Sequence, residues 1–102
     1  MPEMRFVIVW PDDRKEECYS PSLVIKDYFS EGHTYPLDEF LRRSREAFNI
    51  ASERVRAKYG RPCALALGQL QRIETTAARF HDDPAATVTC EVFILDNPGA
   101  AS

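Results

Sequence analysis

Several things are scarce in this chain of 102 residues, and each scarcity removes a class of function. No apolar run approaches the ~20 residues that a membrane-spanning helix needs. The N-terminal Met-Pro-Glu-Met-Arg lacks the basic and apolar regions of a signal peptide, so a cytosolic protein is expected. Cysteine is sparse and odd in number. Cys18, Cys63 and Cys90 lie far apart with no Cys-x-x-Cys pair, which suits a reducing compartment better than a disulfide framework. The two histidines, His33 and His81, stand near no cysteine, so no metal site and no cofactor are expected. There is no Walker loop, dinucleotide glycine fingerprint, His-Glu-x-x-His or nucleophile elbow. Nor is there a surplus of positive charge. The formal net charge is −3, which opposes nucleic-acid binding, because phosphate neutralisation requires a basic surface.

What is present suits one globular domain, residues 1–96, followed by a frayed small-residue tail, 97–102. The composition is 44% hydrophobic and 28% charged, ordinary for a chain with a core of its own. Residues 4–10, Met-Arg-Phe-Val-Ile-Val-Trp, are β-branched and aromatic and predict a strand. Met4, Phe6, Ile8 and Trp10 share one face of it; Arg5, Val7 and Val9 share the other. Pro11-Asp12-Asp13 predicts a turn and residues 15–19 a second strand, which together make a hairpin. Ser20 as N-cap and Pro21 at the first helical position predict a short helix over 21–29, ended by Glu31-Gly32-His33.

The strongest periodicity is in residues 37–59, where Leu37, Phe40, Leu41, Ser44, Phe48, Ala51, Val55 and Tyr59 form the stripe of an amphipathic helix. Asp38 and Glu39 suit its N-terminal end, Gly60 its C-cap, and Asp38–Arg42 and Glu39–Arg43 are i, i+4 pairs. Residues 63–80 predict another helix with Leu65, Leu67, Leu70, Ile73, Ala77 and Phe80 inward. Residues 87–95 predict a last strand with Val88, Cys90, Val92 and Ile94 inward. The expected class is α+β, in the order β-β-α-α-α-β, with helices packed on one face of a small, mostly antiparallel sheet.

Three candidate sites follow. The opposite sheet face would carry Val7, Val9, Phe93 and Leu95, more apolar than a solvated face needs, and points to a partner such as a second copy. Glu53, Arg54 and Arg56 point away from the helix stripe and either serve a partner or are simply solvated. Cys18, Tyr19, Ser20 and Ser22 sit where a strand meets a helix N-terminus, a place for an anion or an activated thiol. The plainer reading there is a buried cysteine, a packed tyrosine and a capping serine. Cys63, after Arg61-Pro62 at the next helix start, is the other candidate reactive thiol, or else a small hydrophobe in a helix contact. No acid–base constellation nominates a catalytic residue.

Met1-Pro-Glu-Met4, Trp10-Pro-Asp12, Cys18-Tyr-Ser-Pro-Ser22, Tyr35-Pro36, Ala51-Ser-Glu-Arg-Val-Arg-Ala-Lys-Tyr-Gly60 and Gln69-Leu70 together resemble a family of small bacterial nitrogen starvation response proteins encoded in the nitrilase gene cluster. The resemblance covers nearly the whole chain. Asp13 stands where that family usually has a glycine, and Ala64 and Gly68 replace more polar residues after Cys63. The resemblance implies a role in nitrogen limitation and in nitrile or cyanide use, beside a nitrilase, a radical-SAM protein, an acetyltransferase, a flavoprotein and an ATP-using synthase-like protein. It implies no activity for this member and transfers no catalytic residue. A non-catalytic accessory protein is the leading expectation, partnered by itself or by an enzyme of that cluster. A small-molecule binder, an anion binder or a thiol enzyme is the alternative.

Overall fold

A computed structural model describes residues 2–95; the expected tail, 97–102, lies outside the described residues. Strands β1 (Met4–Val9) and β2 (Lys15–Ser20) form the expected antiparallel hairpin. Its turn closes through Trp10 N–H to Arg14 O and Asp13 N–H to Trp10 O, both 2.8 Å. Asp13 occupies the left-handed region at φ 68°, which Asp tolerates better than most residues. Helix α1 (Ile25–Tyr28), strand β3 (His33–Pro36), helices α2 (Leu37–Tyr59) and α3 (Ala64–Ala78), and strand β4 (Thr87–Leu95) follow. The sheet is antiparallel throughout, in the order β2-β1-β4-β3. Both long helices therefore lie in the connection between the neighbouring strands β3 and β4. The α+β class and the helical face are as expected.

The expected helix over 21–29 is shorter than its sequence suggested. Ser20 ends β2 instead of capping a helix, and α1 begins only at Ile25. The hydroxyls of Ser20 and Ser22 bond to nearby backbone and hold residues 20–24 in a turn, the competition with helix that short polar side chains offer. Strand β3 was not expected. Only Tyr35 of its four residues is buried, so there is no alternation long enough to read. Gly32, at φ 80°, turns the chain into it, and Gly32 N–H donates to Cys90 O at 2.7 Å.

Inside, β1 contributes Met4, Phe6 and Ile8, all fully buried. Aromatic rings form the centre: Phe29 lies 5.3 Å from Tyr35, 5.4 Å from Phe40 and 6.2 Å from Phe6. Trp10 packs against Phe40 and Phe80, and its indole N–H donates to Glu16 at 2.8 Å. Such contacts add about 0.5–1.5 kcal/mol per pair beyond area burial. Helix α2 buries Phe40, Ser44, Ala47, Phe48, Ala51 and Ser52, and ends as expected at Gly60 with φ 84°. Glu39 pairs with Arg43, whose guanidinium also donates to Tyr28 O and lies over the Tyr35 ring. The expected Asp38–Arg42 pair is not made; Arg42 turns to Glu46 instead.

Helix α3 buries Ala66, Gln69, Leu70, Ile73 and Ala77. Leu65 is 67% exposed and Leu67 42%, because both fall off that stripe. Leucines near a helix start are poor guides to its inner face when alanines occupy that face. Gln69 joins this helix to the sheet, its side-chain oxygen accepting Tyr19 N–H of β2 at 3.1 Å. Helix α3 thereby satisfies part of the outer edge of the sheet, the group an edge strand otherwise leaves free.

The largest departure is in β4. Ile8 pairs with Cys90 but Val7 pairs with Val92, so Glu91 is an extra residue in a bulge. Side-chain parity inverts there. Val88 and Cys90 face the core as expected, but beyond the bulge Phe93 and Leu95 take the side of Phe6 and Met4, Phe93 packed on the core and Leu95, at the strand end, 47% exposed. Val92 and Ile94 lie on the outer side, opposite Val7 and Arg5.

Candidate functional site

The segment Cys18–Ser22 is closed to ligands. Cys18 is fully buried, and burial, with the Glu16 charge second, pushes its thiol well above the ordinary range. Ser20 Oγ donates to Ser22 O at 2.8 Å and accepts Ser22 N–H at 3.2 Å. Ser22 Oγ accepts Val24 N–H at 3.2 Å and Arg54 Nη1 at 2.9 Å. The hydroxyls expected to hold an anion are thus committed to the protein itself. Tyr19 points to the outer face, where its hydroxyl donates to Glu3 at 2.8 Å. Desolvation first, then that bond and the Glu3 charge, raise its pKa to about 12. A thiol that stays protonated and a phenol tied to a carboxylate are poor nucleophiles.

Of the residues on the far part of α2, Arg54 is structural, since it ties the helix to the turn below it through Ser22. Glu53 and Arg56 hold one another through exposed bonds of 2.9–3.2 Å. Cys63 is the half-exposed N-cap of α3 and makes no side-chain capping bond. Cys90, fully buried, has its thiol pushed up to about 11, first by burial and then by Glu31. All three cysteines are free. His33 is the cross-strand partner of Cys90, but His33 is exposed and Cys90 fully buried. Among the described residues no group of three or more His, Cys, Asp or Glu side chains could hold a metal.

One group of exposed apolar side chains lies on the outer sheet face, and another, Tyr59, Leu65 and Leu67, lies where α2 ends and α3 begins. The bulge changes the membership of the sheet face: Val7 and Val9 remain, but Phe93 and Leu95 leave it, and Val92 and Ile94 replace them. Val92 is 37% and Ile94 39% exposed. Phe93 packs half-buried against the core. Around this strip the polar groups are paired across strands. Arg5 meets Glu17 at 3.4 Å, Lys15 meets Glu91 at 3.0 Å, and Thr34 meets Thr89 at 2.7 Å. These four charges cancel, and Glu3, bonded to the Tyr19 hydroxyl on the same face, adds one negative charge.

Sequence reasoning missed a cleft of about 510 Å³ where the start of α2 and the end of α3 meet the 79–86 segment. Leu37, Leu41, Ala77 and Pro84 give it an apolar floor, and Asp38, Arg45, Glu74, His81 and Asp83 line it with polar groups. Arg45 and Glu74 join the two helices at 2.7 Å. No spacing rule connects residues so far apart, which is why nothing in the sequence announced it.

Among the described residues no helix is long and apolar enough to cross a membrane. No curated protein and no solved structure gives a match to this chain. A family model described as nitrogen starvation-induced protein NitG matches residues 5–93, almost the whole described fold, and the chain belongs to that family.

Proposed function

We propose that this protein serves the nitrogen starvation response as a non-catalytic accessory protein of the cytosol, acting through protein contact. The observation that carries the reading is the outer sheet face: half-buried Val7 beside exposed Val92 and Ile94, inside a frame of charges paired across strands. The occupant that fits best is a second copy of the chain. A face whose charges nearly cancel meets itself with little repulsion, and a two-fold pairing would set the apolar strip of one copy on that of the other. Four strands about 4.8 Å apart and about six residues long give a footprint near 400 Å², half the usual ~800 Å² per partner, so the pairing is weak and reversible.

Cells that depend on the protein under nitrogen limitation distinguish contact from chemistry. Val92→Asp with Ile94→Asp should remove function while the purified variant stays folded. Cys63→Ser should leave function intact. The reverse pattern would favour the thiol-enzyme reading and overturn this one. An enzyme of the nitrilase cluster as the occupant would show as a face variant that loses function while the chain alone is monomeric.

A further inference from the structure

We propose that the cleft between α2, α3 and the 79–86 segment binds a small organic cation with a compact apolar body. The site lies on the helical side and is independent of the outer sheet face. Its size of about 510 Å³ falls within the range of small-molecule pockets, about 300–1,000 Å³.

Its walls are fixed without a ligand. Phe80 N–H donates to Ala77 O, Asp83 N–H to Phe80 O and Ala86 N–H to Asp83 O, so the 79–86 segment is wound on itself. Leu37 N–H donates to Ala86 O at 3.0 Å and locks that segment to the start of α2. Asp83 Oδ1 accepts Ala85 N–H at 2.9 Å, and Asp38 Oδ1 accepts Glu39 N–H at 2.9 Å, which holds both carboxylates in place. The Arg45–Glu74 pair braces the opposite wall. A preformed site loses little entropy on binding.

The charge balance sets the ligand class. Arg45 and Glu74 neutralise one another. Asp38 and Asp83 make no ion pair with any described residue. Two carboxylates that no arginine or lysine pairs, on a lining that also carries His81 and above a floor of Leu37, Leu41, Ala77 and Pro84, match an ammonium or amidinium group on a short hydrocarbon or ring. An anion would meet the uncompensated carboxylates, and a neutral molecule would gain only the floor.

The test is an amide-shift titration of the full chain by NMR, with benzylamine, charged at neutral pH, against benzyl alcohol and benzoate. Benzylammonium should give saturable shifts centred on Leu37, Leu41, Ala77 and Ala86. Benzyl alcohol should bind the same residues about fivefold more weakly, as contacts to two exposed carboxylates warrant, and benzoate should not saturate. Asp38→Asn with Asp83→Asn keeps both turn acceptors and should bring benzylammonium down to the affinity of the alcohol. Ala78→Phe at the exposed rim should block both the amine and the alcohol. No saturable shifts at those amides, shifts centred elsewhere, or equal binding of amine and alcohol would overturn the proposal.

Discussion

The three thiols give the sharpest test of whether this chain carries thiol chemistry. Consider a brief exposure of the native protein to iodoacetamide at pH 8, with each cysteine read by peptide mass spectrometry. Cys63 is half-exposed, whereas Cys18 and Cys90 are fully buried. Two effects separate them. At the Cys90 value of about 11 roughly one part in a thousand of that thiol is thiolate at this pH, a scarcity that the greater nucleophilicity of a more basic thiolate offsets only in part. Burial outweighs this. If the reagent reaches a core thiol only when the fold opens, a stability of only ~5 kcal/mol suppresses reaction by about 5,000-fold. Cys63 should therefore be labelled first and nearly alone, and all three should label together in denaturant. Alkylation of Cys18 within about tenfold of the Cys63 rate would refute the closed Cys18–Ser22 segment and reopen it as a reactive site.

Other consequences are as direct. Gly60→Ala should lower stability by about 1 kcal/mol in urea, followed by the fluorescence of buried Trp10, because an L side chain strains the φ of 84° that ends α2; Gly60→Asn should cost less. Stability should fall at alkaline pH. Cys18, Cys90 and Tyr19 hold their protons in the fold and lose them in the unfolded chain, so the contribution is complete below ~8.5 and is lost as pH rises toward about 11 for Cys90 and about 12 for Tyr19. A flat urea midpoint from pH 8 to 11 would contradict those shifts. Glu31 accepts Phe93 N–H at 2.7 Å, beyond the end of the β3 ladder, so Glu31→Ala should speed hydrogen exchange at that amide while leaving Ile8 and Cys90 protected.

The elements with long, regular patterns were legible in the residues alone. The Phe40–Phe48–Ala51 stripe, the Met4–Phe6–Ile8 alternation and the Gly60 cap each appear as the periodicities require. What failed had a local cause. Ser20 and Ser22 spend their hydroxyls on a turn, which delays α1, and four residues were too few to reveal β3. One extra residue, Glu91, moved Phe93 inward and Ile94 outward, and alternation counted along one strand cannot register a slip that exists only relative to its neighbour. The apolar character of the outer face was foreseen while half of its membership was not. The cleft was invisible for a different reason, since Asp38, Arg45, Glu74 and Asp83 meet only through the packing of α2 on α3.

Sedimentation equilibrium over about 10–500 µM, on the wild-type chain and on Val92→Asp with Ile94→Asp, tests the contact account most directly, the range being chosen for the weak pairing a footprint near 400 Å² implies. The account predicts a reversible monomer–dimer equilibrium for the wild type and a monomer throughout for the variant, with unchanged Trp10 fluorescence in both. A wild-type chain that stays monomeric across the range, or a variant that dimerises as well as the wild type, would contradict the assignment of the outer sheet face to a second copy.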